Sequence, residues 1–363
     1  MKKALKTLLA VLLALVLAAG GYVAYVFLTL YRLDDDLPME ISSAEPGGVK
    51  AEAVVPVGQE FTAVSYNIGF GAYSDDFTFF MDGGKESRAR SAQAVYQNIT
   101  GAMNSILPYD PDFALIQEVD IDGTRSWHID ERDLVAPMLT TVNAMDYTFA
   151  QNYDSPYLFY PILSPHGANK SGIMTFAKYR INSALRKSLP IEKGFSSVLD
   201  LDRCYSKSRF ATDNGKELVV YDLHLSAYTS DPQTAETQLS ILVQDMQAEY
   251  DAGNYCIAGG DFNRDLLGNS PEIFHTAVLD DNWAKPVNMD LFTEDITLVA
   301  PFDEAEPVAS CRNPDKPYEK GDYVVTVDGF IKSANVEAVE SKVIDTGFKY
   351  SDHNPVYIKF RLK

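Results

Sequence analysis

Apolar runs in this sequence repeatedly end in side chains that bind cations or move protons. Ala-Val-Ser-Tyr runs into Asn67, and Ala-Leu-Ile-Gln runs into Glu118. His224 closes Val-Val-Tyr-Asp-Leu-His, while Asp261 and Asn263 follow Ile-Ala-Gly in Gly-Asp-Phe-Asn. Asp328 ends Val-Val-Thr-Val-Asp, and Asp352 and His353 open Ser-Asp-His-Asn-Pro-Val. Carboxylates and amide oxygens suit a hard cation such as Mg²⁺, which binds through one or two carboxylates plus substrate phosphate. Histidines beside carboxylates supply proton transfer near neutral pH. There is no Gly-x-Ser-x-Gly elbow and no Gly-x-x-x-x-Gly-Lys-Ser/Thr loop, so serine-hydrolase and P-loop chemistry lack support.

Something must bring these residues together, and strand ends opening on one crevice do so in layered folds. The runs Phe61–Tyr66, Phe113–Gln117, Gly172–Phe176, Leu218–Leu223, Tyr255–Ala258, Tyr323–Phe330 and Val356–Phe360 read as strands. Ser87–Leu107 and Thr234–Tyr250 carry apolar residues at helical spacing, closed by Pro108 and Gly253. Such a mixture predicts an α+β or α/β sandwich, two sheets with helices outside. Segments 69–86 and 268–322, rich in Gly, Pro, Asp and Asn, read as long loops. Taken singly, Asn67 is also a good turn former and Asp261 a good helix cap, and either histidine is compatible with a structural role.

The five motifs Ser-Tyr-Asn67, Gln-Glu118-Val, Leu-His224-Leu, Gly-Asp261-Phe-Asn263 and Ser-Asp352-His353-Asn-Pro-Val, in that order, resemble the endonuclease/exonuclease/phosphatase superfamily over roughly residues 60–363. The resemblance implies a four-layered α/β sandwich, two packed mixed β-sheets flanked by helices, and divalent-metal phosphoester hydrolysis with Mg²⁺ or, in its place, Mn²⁺. Carried over by position, Glu118 is the principal metal ligand with Asn67 beside it, and Asp352 supports the metal side. Asp261 orients or deprotonates water, and Asn263 binds the scissile phosphate. His353 acts on water or the transition state, with Asp328 fixing its tautomer, and His224 serves the leaving group. Arg209, just before the His224 strand, resembles a family arginine that touches phosphate. Asn169 and Lys170 are further candidates to face substrate, whereas His128, His166 and His275 match no motif.

The chain has 363 residues with 31 Lys+Arg against 51 Asp+Glu, a formal net charge of −20. That disfavours non-specific adhesion to nucleic-acid phosphates. Three widely spaced cysteines form neither a disulfide scaffold nor a zinc pattern. Lys2, Lys3 and Lys6 precede an uncharged apolar stretch from Thr7 to Leu30, which as a helix covers roughly 36 Å, more than a bilayer core of about 30 Å. The expected organisation is therefore a cytoplasmic N-terminus and transmembrane anchor (1–32), a linker (33–58) and one catalytic domain (59–363) outside the membrane. Cleavage of the apolar stretch as a signal peptide is the alternative. The resemblance implies a phosphoester substrate: a phospholipid head group, a small phosphoester or a nucleic acid. A nuclease of the same superfamily and a non-catalytic binding ectodomain are the competing readings, and no protein partner is inferred.

Overall fold

The computed structural model of the chain describes residues 2–43, 50–141, 144–192, 201–227, 232–280 and 282–363. The first half runs α1 (Lys2–Thr29), β1 (Leu37–Pro38), β2 (Ile41–Ser43), β3 (Glu60–Asn67), α2 (Ala92–Ile106), β4 (Phe113–Gly123), α3 (Arg132–Thr140), β5 (Asp146–Asp154), β6 (Asn169–Ala177) and β7 (Ser183–Ser188). It continues with β8 (Cys204–Ala211), β9 (Glu217–His224), α4 (Pro232–Asp251), β10 (Tyr255–Asp261), α5 (Ser270–Ile273) and β11 (Ile296–Val299). The chain ends with β12 (Cys311–Arg312), β13 (Val324–Val325), β14 (Asp328–Ser333), β15 (Val336–Val343) and β16 (Val356–Leu362).

Two sheets of seven strands, ordered β1-β7-β8-β9-β10-β14-β11 and β15-β16-β3-β4-β6-β5-β2, pack face to face. Each holds one parallel pair, β9 with β10 and β3 with β4, among antiparallel neighbours. The faces meet over Phe61, Phe113, Leu115, Val220, Ile257, Phe330 and Phe360, all buried. Val95, Ile99 and Met103 seat α2 on the outer face of one sheet, and Leu239, Leu242 and Met246 seat α4 on the other. This is the four-layered sandwich expected: its apolar alternation fills both the sheet–sheet and the sheet–helix interfaces.

Several elements depart from the sequence reading. The helix expected from Ser87 begins at Ala92, because Ser91 Oγ accepts the Ala94 N–H at 3.1 Å and caps it there. The strand expected over Tyr323–Phe330 breaks after Val325. Ser270 Oγ takes the Thr326 N–H (3.2 Å) and Ser310 Oγ the Val327 N–H (2.9 Å), so side chains replace a neighbouring strand. The segment 69–86 is a packed loop with Phe70, Tyr73, Phe77 and Phe79 buried, and 268–322 supplies the edge strand β11. The segment read as a linker also joins the body, with β1 pairing on β7 and β2 on β5 at one edge of each sheet. Its residues 44–49 lie outside the described residues. α1, 28 residues long, is exposed nearly throughout and is long and apolar enough to cross a membrane.

A polar bridge joins the sheets near the strand ends that carry Asn67 and His224. Gln117 Nε2 donates to Asp222 Oδ1 at 2.7 Å, and Thr175 Oγ1 lies 3.5 Å from Asp222 Oδ2. Burial holds the Asp222 pKa well above the ordinary carboxylate range, against these two hydrogen bonds. The native state therefore keeps this proton longer than the unfolded chain, and the stability it contributes is lost as pH rises through the raised pKa. Asp222→Asn keeps the bridge without an ionisable group, so its urea midpoint is expected to match or exceed wild type, by a margin that grows with pH. Asp222→Ala leaves the Gln117 amide buried without its acceptor and is expected to cost about 1–3 kcal/mol.

Candidate active site

Strand register assembles the first row of the site. Asp261 lies opposite His224 of β9 on one side and Asp328 of β14 on the other. Adjacent strands sit about 4.8 Å apart, so three functional side chains line one sheet end without help from any loop. In the facing sheet Asn67 ends β3 opposite Gln117. Its Nδ2 donates to Asp261 Oδ2 at 3.0 Å, linking the two sheets, while its Oδ1 accepts the Gly69 N–H at 3.1 Å.

Glu118 is aimed by a bulge. Pairing of β4 with β6 slips between Ile116 and Val119, and Glu118 takes φ 58°. An extra residue kinks the strand and turns a side chain that regular pleating would send elsewhere. Glu118 Oε1 then stands 3.7 Å from His224 Nε2, and Asp261 Oδ2 stands 3.5 Å from the same nitrogen. The glycine before Asp261 is forced by space: a Cβ on Gly260 would lie 2.0 Å from the Leu223 carbonyl oxygen. Asn263, at φ 51°, donates its N–H to Asp261 Oδ1 (2.8 Å) and its Nδ2 to the Leu225 carbonyl (2.8 Å).

His353 enters from the loop before β16. Its Nδ1 hydrogen-bonds Asp328 Oδ2 at 2.8 Å, and its Nε2 lies 3.8 Å from Asp261 Oδ2 and 3.6 Å from Cys311 Sγ. Polar atoms of Asp261, Asp328 and His353 thus lie within 4.8 Å of one another. Ser351 holds the loop by donating to the Asn67 carbonyl at 2.8 Å.

Electrostatics separate these groups. Burial, with the Asp352 charge adding to it, pushes the Glu118 pKa up to about 8. Burial likewise raises Asp261 to about 6, and it raises Asp352 as well. Burial and the charges of Arg203 and His353 hold His224 well below its ordinary value, so it is neutral. Burial also works against a charged His353, but the Asp328 carboxylate outweighs it and holds the imidazole well above its ordinary value. Among the described residues Glu118 Oε2 is buried with no hydrogen-bond partner. An orphaned carboxylate oxygen beside a second carboxylate, both reluctant to ionise, is what a hard divalent cation would satisfy. The donor set fits a metal held by Glu118 with Asp352 and Asn67.

Glu118, His224, Asp261, Asn263, Asp352 and His353 open on one cavity of about 280 Å³, with Asn67 and Asp328 directly behind. Arg125, Arg203 and Arg312 give it cationic walls within an acidic chain, and Phe70, Tyr73, Tyr153 and Trp283 give it aromatic ones. Arg125 is held by Asp120 (Nη2 to Oδ1, 2.9 Å) and stacks 3.2 Å from the Phe70 ring centre. Arg312 Nη2 donates to the carbonyls of Ser74 (2.7 Å) and Phe77 (3.0 Å), fixing the packed loop that carries Tyr73.

Arg209 is not in this cluster. It lies opposite Val219, five residues before His224 at the other end of the sheet, and binds Glu217 (2.7 Å) and Glu249 (3.1 Å). Lys170 pairs with Asp154 at 3.0 Å, and Asn169 braces the Arg125 N–H at 3.1 Å instead of facing the cavity. His166, which matched no motif, does line the cavity; His128 is exposed and bonded to Asp122. The three cysteines, Cys204, Cys256 and Cys311, are buried free thiols.

A fold of this kind with such a site defines a class of phosphoester hydrolases, and direct comparison agrees. The model of the endonuclease/exonuclease/phosphatase family matches residues 64–353. The chain belongs to that family, whose members are hydrolases of phosphoester bonds that depend in general on divalent metals. Among solved structures, an endonuclease/exonuclease/phosphatase from Beutenbergia cavernae superposes with TM-score 0.56 at 16% identity, over 84% of this chain and 72% of that one. ANGEL2, a 2′,3′-cyclic phosphatase, superposes with TM-score 0.52 at 14% identity over 91% and 99%. These likenesses show the fold. No curated protein sequence matches the chain.

Asp328→Asn preserves shape but removes the carboxylate behind His353. Turnover of bis(4-nitrophenyl) phosphate is expected to fall about 10²–10⁴-fold with the fold intact by circular dichroism. Arg209→Ala is expected to leave turnover within about twofold of wild type and to cost at most about 1 kcal/mol in urea melts, since its ion pairs are partly solvated.

Proposed function

We propose that this chain is a membrane-anchored Mg²⁺-dependent phosphoesterase whose catalytic body lies outside the membrane. The observation that carries the catalytic part is the convergence of Glu118, His224, Asp261 and His353 within 3.8 Å contacts at the base of an arginine-walled cavity. The chemistry supplied by Mg²⁺ held at Glu118, Asp352 and Asn67 is neutralisation of phosphate charge and acidification of water. Mn²⁺ is the expected substitute.

The residues of this chain divide the remaining work. Asp261, poised near neutrality and fixed by the Asn67 amide and the Asn263 N–H, orients water and accepts its proton. His353, kept cationic by Asp328, presents Nε2–H to the charge that develops on the phosphoryl oxygens. Neutral His224 is a hydrogen-bond donor for the leaving oxygen. Asn263 and the guanidinium groups of Arg125 and Arg203 bind the scissile phosphate. Aromatic walls and a volume of about 280 Å³ suit a small phosphoester or a lipid head group better than a nucleic-acid duplex.

The anchor reading rests on α1, with Lys2, Lys3 and Lys6 in its first turns and Asp34, Asp35 and Asp36 after its end, an arrangement that keeps the basic end in the cytoplasm. Turnover is expected to vanish with EDTA and return with Mg²⁺ or Mn²⁺, and to fall about 10²-fold or more in His224→Ala. Comparing a generic phosphodiester with a phosphomonoester assigns the bond. Metal-independent turnover, or an unaffected His224→Ala variant, would refute the reading.

A further inference from the structure

The connection from β5 to β6 ends in an apolar tip. Ile162 is 83% exposed and Leu163 99%, beside exposed Phe159 and Tyr160. In water such a patch has no reason to stay bare. Its base is attached to α1: Leu158 buries against Val26, and the Phe159 ring meets the edge of Tyr22 with centroids 5.2 Å apart. Tyr22 Oη donates to the Tyr157 carbonyl (3.1 Å) and accepts the Phe159 N–H (3.2 Å). Tyr25 Oη accepts the Tyr157 N–H at 3.3 Å. Val26 and Tyr22 precede Leu30, the last residue of the apolar stretch, by four and eight positions, or about 6 and 12 Å along a helix. The loop is thus docked within the outer part of the apolar stretch. Aromatic and apolar groups at that level occupy the head-group boundary of a bilayer, buried by about 5–10 Å.

The same elements form the rim of the cavity. Phe80 packs on Tyr160 (5.7 Å) and on His166 (5.9 Å), and its neighbours Phe79 and Met81, with His166 itself, line the cavity. On leaving α1 the chain is fixed at Asp202: the Leu33 N–H donates to it at 2.8 Å and Arg32 pairs with it at 3.7 Å. Leu201 and Arg203, which flank Asp202, also line the cavity. Both attachments to the apolar helix therefore lead directly to the walls of the active site.

We infer that the 157–163 loop is a second membrane contact which holds the mouth of the cavity against the bilayer, so that the substrate is a phosphoester of a membrane lipid. This rests on the phosphoesterase and anchor reading above. Once α1 is in the bilayer, its Tyr22 and Val26 contacts carry Ile162 and Leu163 to the lipid surface. A head group reaches Arg203 and Arg125 while its acyl chains stay in the leaflet.

The full chain is reconstituted in vesicles of phosphatidylcholine, phosphatidylethanolamine and phosphatidylglycerol and assayed with Mg²⁺. The readouts are release of water-soluble phosphorylated head group and hydrolysis of soluble bis(4-nitrophenyl) phosphate. The double variant Ile162→Ser, Leu163→Ser is expected to lose tenfold or more of lipid turnover and to keep soluble-diester turnover within twofold. In a separate arm, Leu163→Trp is expected to add fluorescence that brominated acyl chains quench. No added quenching, or equal loss on both substrates, overturns the membrane contact. Turnover of the soluble diester with no lipid turnover by the wild type overturns the lipid assignment. Quenching with neither substrate hydrolysed refutes the phosphoesterase reading and the lipid assignment together, while upholding the contact.

Discussion

The architecture is organised around a repulsion. Asp261, Asp328 and Asp352 are buried at one crevice with the largely buried Glu118, where the Asp352 charge opposes ionisation of Glu118 and the Asp328 charge opposes ionisation of Asp261. Removing a carboxylate from water costs several kcal/mol unless a partner charge repays it. The partners present are a cationic His353 and the buried guanidinium groups of Arg125 and Arg312. They do not satisfy Glu118, whose pKa near 8 and unpartnered oxygen mark a deficit of positive charge. The protein spends stability to keep that deficit, as sites that bind cations and phosphate do.

Such a cluster survives only if its members cannot move apart. Two strand pairs in parallel register set Asn67 beside Gln117 and His224 beside Asp261, and the close contact at Gly260 locks the second pair. The bridge from Gln117 to Asp222 ties the two sheets at the level of the bulge that aims Glu118. The end that carries these carboxylates is therefore pinned from both sheets, which is consistent with polar groups that would otherwise separate to regain water.

The strand ends were legible because each motif residue follows an apolar run whose pairing is local to one sheet. What escaped reading depends on partners distant in sequence. The break before Asp328 is made by Ser270 and Ser310, and the edge strand β11 forms only because β14 offers it a neighbour. Arg209 illustrates the point. It stands close to His224 in sequence, but β8 and β9 form a hairpin, so proximity to the turn means distance from the strand end. Tyr205 is the residue opposite Leu223, and Arg203 just before it is the arginine that reaches the crevice. Counting back through the hairpin finds it, whereas searching near the histidine does not. Arg125 and Arg312 carry no comparable signal, because loop packing on Phe70 and on the Ser74 and Phe77 carbonyls places them.

On the proposed anchoring by α1, the segment after the helix decides how the body is held. Read by composition, residues 33–58 are a polar tether that would let the body tumble. In the fold, β1 and β2 instead cap an edge of each sheet, and Arg186, Lys187 and Ser188 hold the Asp34–Asp36 run from the side. Capping an edge strand removes a site of intermolecular pairing. It also fixes the direction in which the helix leaves the body. A loosely tethered hydrolase samples every orientation, so a given cavity faces the membrane only part of the time. Here the same residues that close the sheets set the helix beside the cavity, and orientation becomes a property of the fold and not of the linker. Insertions in the described part of 33–43 would therefore disturb two sheet edges at once, a cost that a free tether would never impose.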